Sequence, residues 1–150
     1  MKTLFLLPVL AILFASCSKT DTTSDPVADL ALQKTIVAQS DWTITQYTDS
    51  GIDETSDYSG YKFKFTPDGV LVAVAPDTTF SGAWTMGTGS AKSDDNPSAD
   101  DKLNKLTISI TGSKLMDHLS HKWLIDNITA TEILLRDYNL ASNEILRFGK

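Results

Sequence analysis

The sequence contains very few of the residues that cross-link or catalyse. Cys17 is the only cysteine among 150 residues, so no internal disulfide can form. His118 and His121 are the only histidines, and no nucleophile-elbow motif, phosphate-binding glycine loop or paired-cysteine motif occurs. The sequence therefore predicts a fold held by its hydrophobic core, with no cofactor and no enzymatic activity.

Positive charge is also scarce. The chain has 13 basic and 19 acidic residues, a net charge of −6 and a pI of about 4.7. An acidic chain without a basic patch is a poor match for nucleic acid, so we expect no nucleic-acid partner. The hydrophobic fraction of 41% fits one globular domain with short appendages.

The first 16 residues have the pattern of an export signal. Lys2 precedes an apolar run over residues 4–14 that is too short to span a bilayer comfortably. The run ends in Phe14-Ala15-Ser16-Cys17, which resembles a bacterial lipobox, although leucine is usual where Phe14 stands. We therefore predict a lipoprotein signal peptide over 1–16, a lipid on Cys17 and a flexible polar tether over 17–24. Ordinary cleavage nearby is the alternative.

After the tether, the sequence predicts one helix and then an all-β domain over 41–150. Over 25–40, Asp25 can cap a helix that starts at Pro26, and an apolar stripe of Ala28, Leu32 and Ile36, with Val37 beside it, predicts a lid on a sheet. Apolar residues then alternate with polar ones in eight segments without a long crossover. Eight antiparallel strands in this order can close into a barrel. The predicted strands are 41–48, 61–66, 70–75, 79–86, 105–111, 122–128, 132–138 and 144–148.

The segment over 61–86 gives the clearest evidence for this meander. Proline and glycine in Pro67-Asp68-Gly69 predict a tight turn between two strands. Gly82 lies between Phe80 and Trp84 on one face of the next strand, which predicts a sharply coiled strand or a close approach of another segment.

Two acidic loops and one helical turn interrupt the strands. The loop over 49–60 carries four carboxylates that could hold calcium, but the EF-hand spacing is absent, so we predict a solvated loop. The polar stretch over 87–104 is predicted to be disordered. Residues 113–121 suit a short helical turn. His118 and His121 on it could bind zinc, but no residue is specified as a third ligand, so we predict surface histidines and no metal site.

The order and spacing of these segments resemble the lipocalin-like domains of Gram-negative envelope lipoproteins. The resemblance covers about residues 41–149 and is carried by segments such as Asp41-Trp42-Thr43-Ile44 and Ser81-Gly82-Ala83-Trp84. It implies a calyx-type barrel anchored to the outer membrane. It also implies that Trp42 packs at the closed end of the barrel under an arginine, with Arg147 or Arg136 as the candidate.

Two functions of different kinds follow from this interpretation. In the first, the protein binds a small apolar ligand inside the barrel. In the second, the barrel interior is filled, and the protein is a structural module or binds an envelope protein through the acidic loops 49–60 and 87–104. The residues predicted to face an interior ligand are Phe63, Phe65, Val72, Val74, Phe80, Trp84, Ile108 and Trp123.

Overall fold

The computed structural model describes residues 26–90, 102–139 and 141–150. One helix precedes nine strands, and a 3₁₀ turn and a second short helix lie between strands. The predicted signal peptide, Cys17 and the tether lie outside the described residues. The elements are α1 (Pro26–Ala38), β1 (Asp41–Asp49), β2 (Ile52–Asp53), the 3₁₀ turn (Thr55–Tyr58), β3 (Lys62–Phe65), β4 (Val70–Ala75), β5 (Thr78–Ser90), β6 (Lys102–Ile110), α2 (Lys114–Leu119), β7 (Lys122–Ile128), β8 (Glu132–Asp137) and β9 (Ile145–Gly149).

The strands form a closed antiparallel barrel, as the sequence predicts. Each long strand pairs with the next in the chain, and β9 returns to pair with β1, with Ile44 opposite Phe148. Closure leaves no free edge among the eight long strands, which removes the template for edge-to-edge aggregation. β2 is a two-residue strand that pairs only with the end of β1 and was not predicted.

The hairpin of β5 and β6 is longer than predicted. Thr88 pairs with Asn104, and Ser90 pairs with Lys102. The prediction of disorder over 87–104 is therefore wrong for residues 87–90 and 102–104. Backbone pairing extends the ladder there although Leu103 is the one large apolar residue among these seven, and an alternation of apolar residues cannot reveal such pairing. Residues 91–101 lie outside the described residues.

Gly82 lies where two strand backbones come very close. A Cβ atom at this position would be 2.1 Å from the Ser109 carbonyl oxygen and 2.7 Å from Ile110 Cα. Both obstacles are backbone atoms of the neighbouring β6, so a side chain at residue 82 would push the two strands apart. The prediction of a close approach at Gly82 is confirmed.

One end of the barrel is covered by α1. We call this the helix-covered end. Val37 is fully buried there, and its carbonyl oxygen accepts a hydrogen bond of 2.9 Å from Trp42 Nε1. The predicted stripe on α1 is wrong at Leu32, which is 60% exposed. Val37 packs into the hydrophobic core of the barrel instead, so the helix turns this residue inward.

The cation over Trp42 is a lysine. Lys150 Nζ lies 4.5 Å from the centre of the Trp42 ring, while Arg147 pairs with Glu132 and Arg136 pairs with Asp126. Trp42 is therefore buried at the closed end as the resemblance implies, but neither predicted arginine covers it. The strand ladder places Arg147 beside Gln46, well past the start of β1.

The opposite end is closed by α2 and the 3₁₀ turn. Met116 and Leu119 of α2 are fully buried, and Tyr58 of the 3₁₀ turn donates a hydrogen bond of 3.0 Å to the Leu115 carbonyl oxygen. The short helix predicted over 113–121 is confirmed. Ser113 caps it by accepting a hydrogen bond from the Met116 amide.

Candidate functional site

Six of the eight predicted ligand-binding residues face the barrel interior. Phe80 lies opposite the buried Ala73 and beside Tyr61, with 6.3 Å between the ring centres, and it is partly buried. The other five have 0–1% of their surface exposed: Phe63, Phe65, Trp84, Ile108 and Trp123.

Val72 and Val74 do not face the interior, so the prediction is wrong for both. Directly opposite residues of an antiparallel pair share one face, and Val72 lies opposite Lys64. Leu71 lies opposite Phe65, and Leu71 is the residue that points inward. Val74 is 44% exposed. The turn at 66–69 sets this register, and a strand that is apolar at every position does not reveal it.

Aromatic rings fill the centre of the barrel. Phe148 contacts both Phe63 and Phe65 edge to face, at 5.4 and 5.6 Å between ring centres, and Phe65 contacts Trp84 in the same way at 5.4 Å. A cavity large enough for a ligand would leave accessible surface on the side chains around it. These four rings, which we call the inner ring cluster, have 0–1% exposure. The space around them is therefore packed.

Several polar side chains lie close together at the end closed by α2. The sequence did not predict that they would meet. We call this end of the barrel the His–carboxylate end, formed by residues 49–61, 76–77, 111–121, 137–139 and 141–144. His121 follows α2, Asp137 ends β8 and Glu144 precedes β9. His121 Nε2 lies 3.3 Å from Glu144 Oε2 and 3.7 Å from Asp137 Oδ1. The candidate ligand atoms of these three residues, the first triad, all lie within 4.8 Å of one another.

Burial makes this group unusual electrostatically. Burial, together with the nearby carboxylates of Asp137 and Asp49, raises the pKa of Glu144 to about 7. Burial also lowers the pKa of His121, although Asp137 and Asp49 act in the opposite direction. Burial therefore disfavours the charged forms of the two groups that face each other. Both His121 Nε2 and Glu144 Oε2 are buried atoms without a hydrogen-bond partner.

A second triad lies on the other side of Asp49. It consists of Asp49, Glu54 and His118, and its ligand atoms also lie within 4.8 Å of one another. His118 Nδ1 is 4.0 Å from Glu54 Oε2, and each of these two side chains is about one-third exposed. Beneath the triads, burial and the surrounding carboxylates raise the pKa of Tyr47. Burial and the neighbouring carboxylates therefore make it unfavourable for Tyr47 and Glu144 to carry a negative charge.

The acidic loop over 49–60 contributes to this end in two ways. Asp49 and Glu54 belong to the second triad, whereas Asp53 accepts a hydrogen bond of 2.9 Å from the Thr55 amide. That bond, together with the Thr55 hydroxyl, lowers the pKa of Asp53. Asp53 therefore stabilises a local turn, whereas Asp49 and Glu54 lie beside His118 in the second triad.

A shallow groove of about 400 Å³ lies at the other end, between α1 and the turn after β3. Lys34 of the helix lies above Trp84, with Nζ 5.7 Å from the ring centre. The groove is lined by Ala31, Lys34, Thr35, Ala38, Gln39 and Pro67. Within residues 26–90, 102–139 and 141–150, no helix is long and apolar enough to cross a membrane.

Comparison with known proteins supports the fold. No family model and no curated protein matches the sequence. Among solved structures, a DUF4847 family protein from Bacteroides vulgatus superposes with a TM-score of 0.51 and 13% identity, over 77% of this chain and 95% of that one. A lipocalin-like protein from Bacteroides uniformis aligns with a TM-score of 0.47 and 15% identity, over 76% of this chain and 98% of that one. At 13% identity, the first likeness shows a shared fold alone.

Proposed function

We propose that this protein is a non-catalytic binding module of the cell envelope, held by a lipid on Cys17, that recognises its ligand at the His–carboxylate end. One observation carries the proposal. His121 Nε2 and Glu144 Oε2 are buried and face each other at 3.3 Å, and neither atom makes a well-formed hydrogen bond. Buried polar atoms normally have partners, and leaving one unpaired costs about 1–3 kcal/mol. A ligand that contacts both atoms would remove that cost.

The packed interior supports the same choice. A small apolar ligand inside the barrel would have to displace part of the inner ring cluster and pass α1 or α2 at one of the ends. Eight-stranded barrels range from those filled by their own side chains to those with room for one ligand. The absence of exposed surface on the inner rings favours the filled kind. We therefore assign recognition to the loops, the second of the two functions that the sequence predicts.

The charge of the His–carboxylate end defines the class of ligand. The loop over 49–60 contributes Asp49 and Glu54, and the later strands contribute Asp137 and Glu144. Such a surface attracts a metal ion or a basic segment and repels an anion. We propose that the ligand carries positive charge at the atoms that reach this end.

The anchor and the binding end lie on opposite sides of the barrel in this proposal. The chain enters the described structure at Pro26, the first residue of α1, and α1 covers the end opposite the histidines. A lipid on Cys17 would therefore attach the protein through its helix-covered end. The His–carboxylate end would face away from the attachment.

Two probes test the proposal on residues 18–150 in detergent-free buffer. The apolar fluorophore N-phenyl-1-naphthylamine reports interior binding, and an oligolysine peptide reports binding at the acidic end by amide chemical-shift changes. We expect no saturable fluorophore binding, and shifts from the peptide that are confined to residues 49–61, 111–121, 137–139 and 141–144.

Phe148→Ala provides the matched control. It removes the ring at the centre of the inner ring cluster, and an apolar cavity lined by such residues can take up an apolar molecule. A thermal melt first confirms that the variant folds. Saturable fluorophore binding by the unmodified domain, with shifts at the amides of Phe63 and Trp84, would restore the barrel interior as the binding site.

A further inference from the structure

The first triad has the geometry of a metal site rather than of an ordinary acidic surface. A tetrahedral zinc ion with ligands about 2.0–2.2 Å away holds them about 3.4 Å apart. His121 Nε2 is 3.3 Å from Glu144 Oε2 and 3.7 Å from Asp137 Oδ1. Small movements of the two carboxylates would bring all three atoms into the first shell of one ion.

The state of these atoms points to a ligand independently of their spacing. In a solvated acidic cluster, water satisfies each carboxylate oxygen. Here His121 Nε2 and Glu144 Oε2 are both withdrawn from solvent and lack hydrogen-bond partners. The His121 side chain is nevertheless 30% exposed, so the site can be reached from solution. A cation would supply the missing partner of both atoms at once.

Neighbouring groups hold the three ligands in place. The His121 ring stacks on Trp123, with 4.0 Å between the ring centres. Asp137 Oδ2 accepts a hydrogen bond of 2.5 Å from the Ser142 hydroxyl, and the Asp137 amide donates to the Glu144 carbonyl oxygen at 3.2 Å. Such second contacts fix the orientation of metal ligands and raise affinity.

We propose that His121, Asp137 and Glu144 bind one divalent transition-metal ion of the zinc type, with a fourth position open to water or to a further ligand. The proposal rests on the proposed function, because it names the cation recognised at the His–carboxylate end. One imidazole and two carboxylates suit zinc, whereas calcium and magnesium prefer a shell made of oxygen atoms alone. The second triad is more exposed and more widely spaced, and we leave it outside the proposed site.

The test measures zinc affinity on the full chain, purified in mild detergent and stripped of metal. Zn²⁺ is titrated in competition with a chromophoric chelator, and Co²⁺ then reports the coordination geometry through its visible spectrum. We expect one Zn²⁺ per chain and an intense four-coordinate Co²⁺ spectrum, both unaffected by excess Ca²⁺ or Mg²⁺.

Three variants make the assignment specific. His121→Gln and Glu144→Gln should each lower zinc affinity by at least about 100-fold, because even outer-shell changes cost 10–100-fold. Glu144→Gln keeps the shape of the side chain, so its loss cannot be attributed to misfolding. Asp126→Asn removes a carboxylate that pairs with Arg136 and belongs to neither triad, and it should leave the affinity unchanged.

The proposal is overturned if no zinc binds, if His121→Gln binds as tightly as the unmodified chain, or if Co²⁺ gives only the weak six-coordinate spectrum of a surface-bound ion. Each of these results would mean that His121, Asp137 and Glu144 do not form the proposed metal site. Peptide-induced shifts at the His–carboxylate end would still support the proposed function in that case. The loss of both signals would remove the proposed function as well.

Discussion

Both ends of the barrel are closed by helices, but they differ in whether their buried polar groups are hydrogen-bonded. At the helix-covered end, Trp42 Nε1 donates to the Val37 carbonyl oxygen and Trp84 Nε1 donates to the Thr66 carbonyl oxygen. At the His–carboxylate end, polar atoms of both histidines and of Glu144 are buried without partners. The first end is complete in itself, whereas the second would be completed by a ligand.

This difference separates stability from recognition within one small domain. Residues that close a core lower the free energy of the folded state, and groups held ready for a ligand usually raise it. The barrel provides a rigid frame, so the unpaired groups can be confined to loops at one end. Loss of a residue that closes the core should therefore lower stability, whereas loss of the unpaired charge of Glu144 at the His–carboxylate end should raise it.

The largest expected effect comes from the helix-covered end. Trp42→Ala should lower the free energy of unfolding by about 3–5 kcal/mol, because it leaves a cavity and removes the bond to Val37. Urea denaturation measures the change, and Trp42→Phe, which keeps most of the buried area, should lose much less. A loss below about 1 kcal/mol for Trp42→Ala would mean that α1 does not close the core.

A moderate effect is expected where α2 is attached. Ser120 Oγ accepts a hydrogen bond of 2.8 Å from the Ile110 amide and donates to backbone carbonyl oxygens of Ile110 and Met116. Ser120→Ala should lower the free energy of unfolding by about 1–3 kcal/mol, because the Ile110 amide loses its acceptor. Hydrogen exchange at that amide should also accelerate. Unchanged exchange would show that the helix is held by packing alone.

A change of opposite sign is expected at Glu144. In metal-free protein at pH 8, Glu144→Gln should raise the free energy of unfolding by on the order of 1 kcal/mol, since partial exposure of the carboxylate limits the effect. The variant removes a charge that burial and two neighbouring carboxylates disfavour. Urea denaturation in the presence of a chelator measures it, and a destabilised variant would contradict the contrast between the ends.

The same carboxyl group makes stability depend on pH. The pKa of Glu144 is about 7 in the folded protein, above its usual value of 4.5. Its contribution to stability is therefore fully present below pH 4.5 and is lost as the pH rises through 7. Unmodified protein and Glu144→Gln should differ little at pH 4 and increasingly toward pH 8. A constant difference across this range would remove the titration of Glu144 as the cause.

The smallest effect is expected at Lys150. Its Nζ lies over the Trp42 ring at 4.5 Å, and such contacts contribute about 0.5–1 kcal/mol at exposed sites. Lys150→Gln should lower the free energy of unfolding by that amount and leave ligand binding unchanged. Thermal melts at low and high salt check whether the contact is electrostatic, because the difference should shrink as salt increases.

The elements of the fold could be predicted because their signals are local. Each signal lies within a few residues of the feature that it predicts. Alternation predicts a strand, Pro67-Asp68-Gly69 predicts a turn, and Gly82 predicts a close approach of two backbones. The register of β4 could not be predicted, because Val70-Leu71-Val72-Ala73-Val74 is apolar at every position. Only the pairing with β3 shows that Leu71 and Ala73 point inward.

The candidate site could not be predicted because it is assembled from separate parts of the chain. His121, Asp137 and Glu144 are brought together by the pairing of β7 with β8 and of β8 with β9, which places Trp123 opposite Asp137 and Arg136 opposite Ile145. The sequence identified the two histidines as possible zinc ligands but offered no third ligand. The available signal was a carboxylate at the end of β8 and another just before β9, which gains meaning once the strand pairing places both beside His121.

Native mass spectrometry of the full chain, purified from the cells that produce it, tests the central claim most directly. The account predicts no retained apolar organic molecule, and a retained mass of one divalent metal ion that is lost in both His121→Gln and Glu144→Gln. An organic molecule of a few hundred daltons that stays bound in all three proteins would contradict it. That result would place recognition inside the barrel and leave the His–carboxylate end without a role in binding.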